Sequence, residues 1–366
     1  MAEKLRVCMV GLEFGGTFIS SLAAHPDVAG LGVCDLNLST LRGVGDRFSI
    51  PHENRHASLE AVLDSGAYDA VVLFTPIPDH AAQVIAVMEA HLHCACAVPM
   101  ATTVEDLRRI SEVRRQTGRT YMMMETSLYT PEFLMVQDLY RAGEFGELQF
   151  LRGVWHCNLE NHPRYWHGLP PMHYITHPLA PMLKLAGRKV AKVACYGSGA
   201  MRKSLQEVYQ NPYPVETAIF QLGSEAVSAK VKPQGDAGRP LAVEVTSIVI
   251  ETALQNKETF DLWGTKQSFT WATFYDDKHA FIRIWPAREG GPKSSYNTVF
   301  RFEAPNDVDR LPQAMRKLGP GSPQAHLVHE FVRACIEGRE SEIDVDEASA
   351  YTEPGLLAHQ AAMSGR

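Results

Sequence analysis

No apolar run in this 366-residue chain approaches the length, about 18 residues, that a membrane-spanning helix needs. The opening Met1-Ala-Glu-Lys-Leu-Arg6 leads straight into a buried-strand pattern and carries no signal-peptide core. A membrane partner is therefore not expected, and the expected compartment is the cytoplasm. Basic charge is also scarce. With 35 Lys and Arg against 42 Asp and Glu the net charge is −7, which argues against a nucleic-acid partner. Cysteine is sparse and odd in number: Cys8, Cys34, Cys94, Cys96, Cys157, Cys195 and Cys335 are scattered along the chain. A disulfide framework belongs to small secreted chains, so these are read as reduced, small hydrophobes. The chain also lacks a His-Glu-x-x-His pattern and any cysteine partner for its histidines, so no metal centre is expected.

What is present is the composition of a globular protein, 45% hydrophobic and 21% charged, with length enough for two ordinary domains. Leu5 to Val10 is a short apolar run that stops at Gly11-Leu-Glu-Phe-Gly-Gly16, and a helical pattern follows from Thr17 to Ala24. Strand, glycine turn and helix in that order make a dinucleotide-binding start, with the pyrophosphate on the helix N-terminus. Gly11 and Gly16 stand where a G-x-G-x-x-G motif wants them, but Glu13 takes the place of the second glycine. Asp35 ends the next strand at close to the spacing, roughly 20 residues, at which a carboxylate binds the ribose hydroxyls of NAD. The other reading of Asp35 is a helix cap. A third unit runs Tyr68 to Pro76, with Asp79-His80 opening a helix from Ala81 to Ala90. A fourth places a strand at Cys94 to Val98 and a capping box of Thr102 and Glu105 before the helix Val104 to Gln116. Alternating strands and helices of these lengths require a parallel, doubly wound sheet, and residues 1–125 are expected to form an NAD-binding Rossmann domain.

The chain here resembles the Gfo/Idh/MocA oxidoreductases. The likeness rests on Val10-Gly-Leu-Glu-Phe-Gly-Gly16, Asp35, Thr75-Pro76 with His80, Pro99-Met-Ala-Thr102, and the late helix His326 to Gly338. It implies cofactor contacts from Gly11, Glu13, Phe14, Gly16, Asp35, Thr75, Pro76, His80, Val98, Pro99 and Glu125. It also implies NAD as cofactor and a second domain with an open antiparallel sheet. The family usually acts on sugars or cyclitols and is often oligomeric, so a small carbohydrate or glycoside substrate and a homo-oligomer, dimer or tetramer, are expected. One departure is plain. Where the family usually has Glu-Lys-Pro this chain has Ala97-Val98-Pro99, and Val98 offers neither charge nor proton.

Residues 126–366 read as an α+β domain. Thr130-Pro131-Glu132 starts a helix that Gly143 ends, and alternating strand patterns recur from Leu148 to Phe302, as in a sheet with one wet face. Between them the loop His156 to Gly168 offers His156, Arg164, Tyr165 and Trp166. Polar donors around flat rings suit a sugar, and Arg164 suits an anionic substituent; the alternative is an ordinary loop packed on the sheet.

The densest acid–base stretch is Pro171 to Pro181, with His173, Tyr174, Thr176 and His177. Its Tyr-x-Thr-His order resembles the Tyr-Pro-Thr-His segment of the NAD-dependent glycosidases of this superfamily, with Ile175 in place of the proline. The resemblance gives His177 the role of base toward a ring hydroxyl, makes Tyr174 a second acid or base if neighbours lower its pKa, and gives His173 a supporting or packing role. Three functions stand open: a glycosidase working by transient oxidation at C3 with NAD recycled, a net sugar, glycoside or inositol dehydrogenase, and a non-catalytic NAD-binding regulator.

Overall fold

The computed structural model describes residues 4–163, 166–233, 238–253, 256–272, 277–285, 296–303, 305–319 and 321–365. Arg164 and Tyr165 lie outside them. The chain forms two compact units, one of residues 1–129 with 306–349, the other of residues 130–305 with 350–366.

The first unit holds six strands: β1 (Leu5–Val10), β2 (Val28–Cys34), β3 (Arg55–His56), β4 (Ala70–Leu73), β5 (His93–Cys96) and β6 (Tyr121–Met123). Their order is β3-β2-β1-β4-β5-β6 and every pairing is parallel. This is the doubly wound order of a dinucleotide fold. The central strands are buried on both faces, which is why β4 reads Ala-Val-Val-Leu without alternation. Helices α1 (Leu12–Ala24), α2 (Leu38–Arg47), α3 (Leu59–Asp64), α4 (His80–Glu89) and α5 (Val104–Thr117) make the crossovers.

Two local readings are corrected. Helix α1 begins at Leu12, directly after Gly11, so Glu13 to Gly16 form its first turns rather than a loop before it. The cap of α5 is Thr103, not Thr102: its hydroxyl accepts the Asp106 amide and donates to the Asp106 carboxylate at 2.7 Å. A Thr one position later thus satisfies one orphan amide, and its hydroxyl is itself held by the Asp106 carboxylate.

The second unit starts with α6 (Pro131–Arg141), capped by Thr130, and β7 (Leu148–His156). Then come α7 (Thr176–Ala186), β8 (Arg188–Ser198), α8 (Lys203–Tyr209), β9 (Val215–Ala226), β10 (Ala242–Ile248), β11 (Lys257–Gly264), β12 (Gln267–Thr270), β13 (His279–Trp285) and β14 (Tyr296–Phe302). The sheet order is β14-β13-β12-β11-β7-β10-β9-β8. It is not wholly antiparallel: β7 and β10 run parallel at its centre, because α7, β8 and β9 intervene before the chain returns beside β7. Helix α9 (Pro323–Glu337) belongs to the first unit, and α10 (Val345–Ser364) contributes to both. Among the described residues, no helix is long and apolar enough to cross a membrane.

Alternation gives the larger sheet two different faces. Leu151, Gly153 and Trp155 of β7 share one face with Phe260 and Glu258 of β11, with Ser247 of β10 and with Glu216 of β9. Helix α7 covers this face. A side chain at Gly153 would press on Pro178 and Met182, so glycine is what lets the start of α7 lie close on β7. The other face carries Arg152, paired with Asp261 at 2.9 Å, and the exposed Tyr196 and Ile219.

Candidate active-site residues in the two units

In the first unit, the helix start is built around Gly11. Its φ of 84° and the Phe74 carbonyl against the place of a Cβ leave room for no other residue. Gly15 rather than Gly16 does the close packing, since a Cβ there would meet Phe74 and the Met9 sulfur at 3.0 and 3.1 Å, whereas one on Gly16 would meet nothing. The exposed Phe14 packs its ring on Phe18 and Phe74, and Glu13 is exposed beside it.

Asp35 is not the cap of α2; that role falls to Asn37, which accepts the Ser39 and Thr40 amides. The Asp35 carboxylate instead accepts the Leu12 amide at 2.8 Å and the Asn37 amide at 2.7 Å, tying the end of β2 to the first turn of α1. A helix N-terminus opened by an unsubstituted glycine, with a carboxylate at the end of the neighbouring strand, fits NAD: backbone N–H groups for the pyrophosphate and an acceptor for ribose hydroxyls.

His80 is fully buried, and its two ring nitrogens face the Thr75 and Pro99 carbonyls at 3.0 and 2.8 Å. Burial lowers its pKa against the pull of those carbonyls. Its part is to brace the Thr75-Pro76 loop, where Thr75 donates to Gln83 at 2.6 Å, against the loop of Val98 and Pro99. Glu125 is buried after β6 and accepts the Ser127 amide.

In the second unit, His177 sits in the first turn of α7, only partly exposed, with Nδ1 at 3.4 Å from a Glu258 carboxylate oxygen. Pro181 has no N–H, so the carbonyl of His177 receives no bond from the fourth residue on. The preceding turn, Pro171 to Tyr174, is held from the sheet. Buried Glu216 accepts the Met172 amide through one oxygen at 3.1 Å and lies 2.7 Å from His359 Nδ1 through the other. The Ser247 hydroxyl donates to the Pro171 carbonyl at 2.7 Å. His173 stands edge-on to His359, and burial, then that neighbour, depress its pKa to about 3.

Tyr174 departs from its expected role. Its ring stacks on Trp155 at 4.7 Å and its hydroxyl donates to the Trp166 carbonyl at 2.5 Å. Burial, then the neighbouring Tyr209 and Cys157, push its phenol up, so neighbours do not lower it as a base would require. Thr176 is buried with no partner for its hydroxyl among the described residues. His156 lies on the opposite face of the sheet from Trp155 and Glu258, so it is not brought to His177; burial and Lys257 lower its pKa. Glu258 and Glu216 were missed in the sequence. An acid in a strand carries no mark of which helix will lie across it.

Fold and turn together define a class: a dinucleotide-binding Rossmann domain with an appended α+β unit. Residues 5–125 match the Gfo/Idh/MocA oxidoreductase family, NAD-binding Rossmann fold, and the cofactor that this match indicates is NAD. Among curated relatives, an alpha-N-acetylgalactosaminidase of Shewanella oneidensis is 34% identical over 34% of this chain and 30% of its own length. A glycosyl hydrolase family 109 protein of Solibacter usitatus is 23% identical over 96% of this chain and 83% of its own. The chain spans about a third of the length of the Shewanella relatives it matches. Among solved structures, an inositol dehydrogenase homolog of Azotobacter vinelandii with NADH and myo-inositol shares the fold, with TM-score 0.75, 15% identity, and coverage of 100% of this chain and 97% of that one.

Proposed function

We propose that the chain is an NAD-dependent carbohydrate-active enzyme that cleaves glycosides by transient oxidation of the sugar ring. The observation that carries this reading is the His177–Glu258 pair at the start of α7. The uncharged Val98 strengthens it: with no lysine upstream, acid–base work falls to this pair. Bound NAD would supply a hydride acceptor at C3 of the ring and give the hydride back at the end. His177 takes the proton of the C3 hydroxyl as the ketone forms, and Glu258 stabilises the resulting imidazolium. The ketone acidifies the C2–H; the Glu258 carboxylate takes that proton, and the aglycone leaves C1 with its bonding electron pair and takes a proton from solvent. Water then adds at C1, C2 regains a proton and His177 returns its proton to the reduced hydroxyl. Thr176, next to His177 in sequence, and Trp166, whose carbonyl holds the Tyr174 phenol, are assigned to substrate.

The name of the Shewanella relative makes an N-acetyl-α-galactosaminide the first substrate to try. With NAD and the 4-nitrophenyl glycoside in deuterated water, we expect sugar release, deuterium at C2 and no accumulation of NADH. Stoichiometric NADH with the glycosidic bond intact would establish the net dehydrogenase instead. His177→Ala should lower turnover by roughly 10²–10⁴ while NAD binding persists; unchanged turnover would point to a non-catalytic role. The same reading makes residues 1–125, with 306–349 packed in the same unit, the cofactor part and the rest of 126–366 the substrate part of a cytoplasmic homo-oligomer. The exposed Tyr196, Ile219 and Val299 on the open face of the larger sheet support self-association, which light scattering tests.

A further inference from the structure

We propose that the first unit carries a second ligand site, for a small molecule bearing a phosphoryl group, on the edge of its sheet opposite to the NAD-binding edge. Strands β1, β4, β5 and β6 are parallel and begin at Leu5, Ala70, His93 and Tyr121, so the residues just before them gather on one edge. A cavity of about 520 Å³ opens there, lined by Lys4, Arg6, Asp69, His93 and Arg119 among others and closed by the last turn of α9 at Cys335 and Ile336. That volume suits a ligand of sugar-phosphate size. Cofactors of this fold bind at the C-terminal ends of the strands, roughly 20 Å away along a six-residue strand.

The charges do not balance within the cavity. Asp69 is fully engaged by Arg6, through Nη2 at 2.7 Å, Nε at 3.1 Å and the Arg6 amide at 2.8 Å. Lys4 and Arg119 remain, and neither has a carboxylate partner among the described residues. The Nε of Arg119 is buried with no acceptor there. His93 accepts the Thr120 amide through Nδ1, which leaves its Nε2 as a donor when neutral. Burial and then Arg119 keep it neutral, with a pKa of about 4. The lining therefore offers two uncompensated cations and a neutral donor, and its single carboxylate is already taken. A phosphoryl group, with several acceptor oxygens and up to two charges, is the chemistry that satisfies such a lining.

The test is thermal unfolding of the full chain with saturating NAD, which occupies the pyrophosphate site, in inorganic phosphate or in sodium chloride of equal ionic strength. Phosphate should raise the midpoint by about 2 °C or more over chloride. Arg119→Gln should weaken the apparent phosphate affinity by tenfold or more and leave the NAD titration unchanged. Lys4→Gln, at an exposed position, should weaken it in the same direction and gives the answer if Arg119→Gln does not fold. No phosphate-specific rise in the wild type overturns the proposal. So does a rise that persists in Arg119→Gln or, where that variant does not fold, in Lys4→Gln.

Discussion

The glycine turn at Gly11 and the turn from Pro171 to Tyr174 each deliver polar groups to the first turn of a helix, but by opposite means. At Gly11 the geometry is nearly local. The strand before it, the helix after it and two adjoining strands supply the determining contacts: the Cys34 carbonyl, the Asp35 carboxylate and the Phe74 carbonyl. At Pro171 to Tyr174 the determining groups are Glu216, Ser247, His359 and Trp155, drawn from three strands and the last helix of the chain. The first arrangement depends on a residue that has no side chain. The second depends on side chains that are far apart in sequence, and on a buried carboxylate with both oxygens in use. The first turn is therefore expected to tolerate most substitutions outside the glycine, and the second to fail if any of several distant residues is lost.

The sharpest way to break that contrast is Glu216→Ala. It leaves the Met172 amide and His359 without their buried acceptor, and removing one partner of a buried hydrogen-bonded charge costs about 3–5 kcal/mol. Urea unfolding should show a loss of that size, and Glu216→Gln, which keeps one acceptor oxygen, a smaller one. A cost under about 1 kcal/mol would mean that the turn before His177 is set locally after all. Gly11→Ala comes next. A methyl at a φ of 84° against the Phe74 carbonyl should cost about 2–4 kcal/mol by strain and overlap and abolish NAD binding, read by cofactor titration. Retained NAD affinity in that variant would refute the role given to this turn.

The same contrast explains what was legible in the sequence. The order of strands and helices in the first unit, the glycine at position 11 and Asp35 could all be read there, because each depends on neighbours within one strand–helix–strand repeat. The misreadings were small shifts of local register, α1 starting at Leu12 and the cap at Thr103, and the two-residue β3 and short α3 left no pattern to read. In the second unit the strands were legible from alternation, but their order was not. The parallel β7–β10 pair, the Glu258 partner of His177 and the Glu216 brace all follow from which strand returns beside which. His156 shows the consequence most clearly. It is close to His177 in the chain and rich in the right chemistry, yet one step of strand alternation places it on the far face.

pH acts on both units in the same direction. His173 in the second unit titrates near 3 when folded, and His25 and His93 in the first near 4, against 6.5 for the ordinary imidazole; burial is the main cause in all three. The unfolded chain therefore takes up protons first as the pH falls. Stability is at its full value above about pH 7 and declines between pH 6.5 and 4, by up to about 1.4 kcal/mol per pH unit for a fully buried imidazole. Urea midpoints at pH 7, 6 and 5 should fall in that order, and His173→Gln should flatten the decline. A midpoint independent of pH over this range would show that these rings are solvated in the folded chain.

Tyr174→Phe is expected to have the smallest effect, and it decides between a base and a brace. Its hydroxyl makes one hydrogen bond, to the Trp166 carbonyl, and its ring keeps the stack on Trp155 in either variant. Loss of that single bond should cost about 1 kcal/mol of stability. Turnover on a glycoside should fall less than tenfold, mainly through a higher KM as the Trp166 segment loosens, with the pH profile unchanged. General-base loss would look different: kcat would drop by 10² or more and the limb of the profile that the base controls would disappear. If that second pattern appeared, the phenol would have to leave the Trp166 carbonyl during turnover, and the turn from Pro171 to Tyr174 would be a moving part rather than a fixed one.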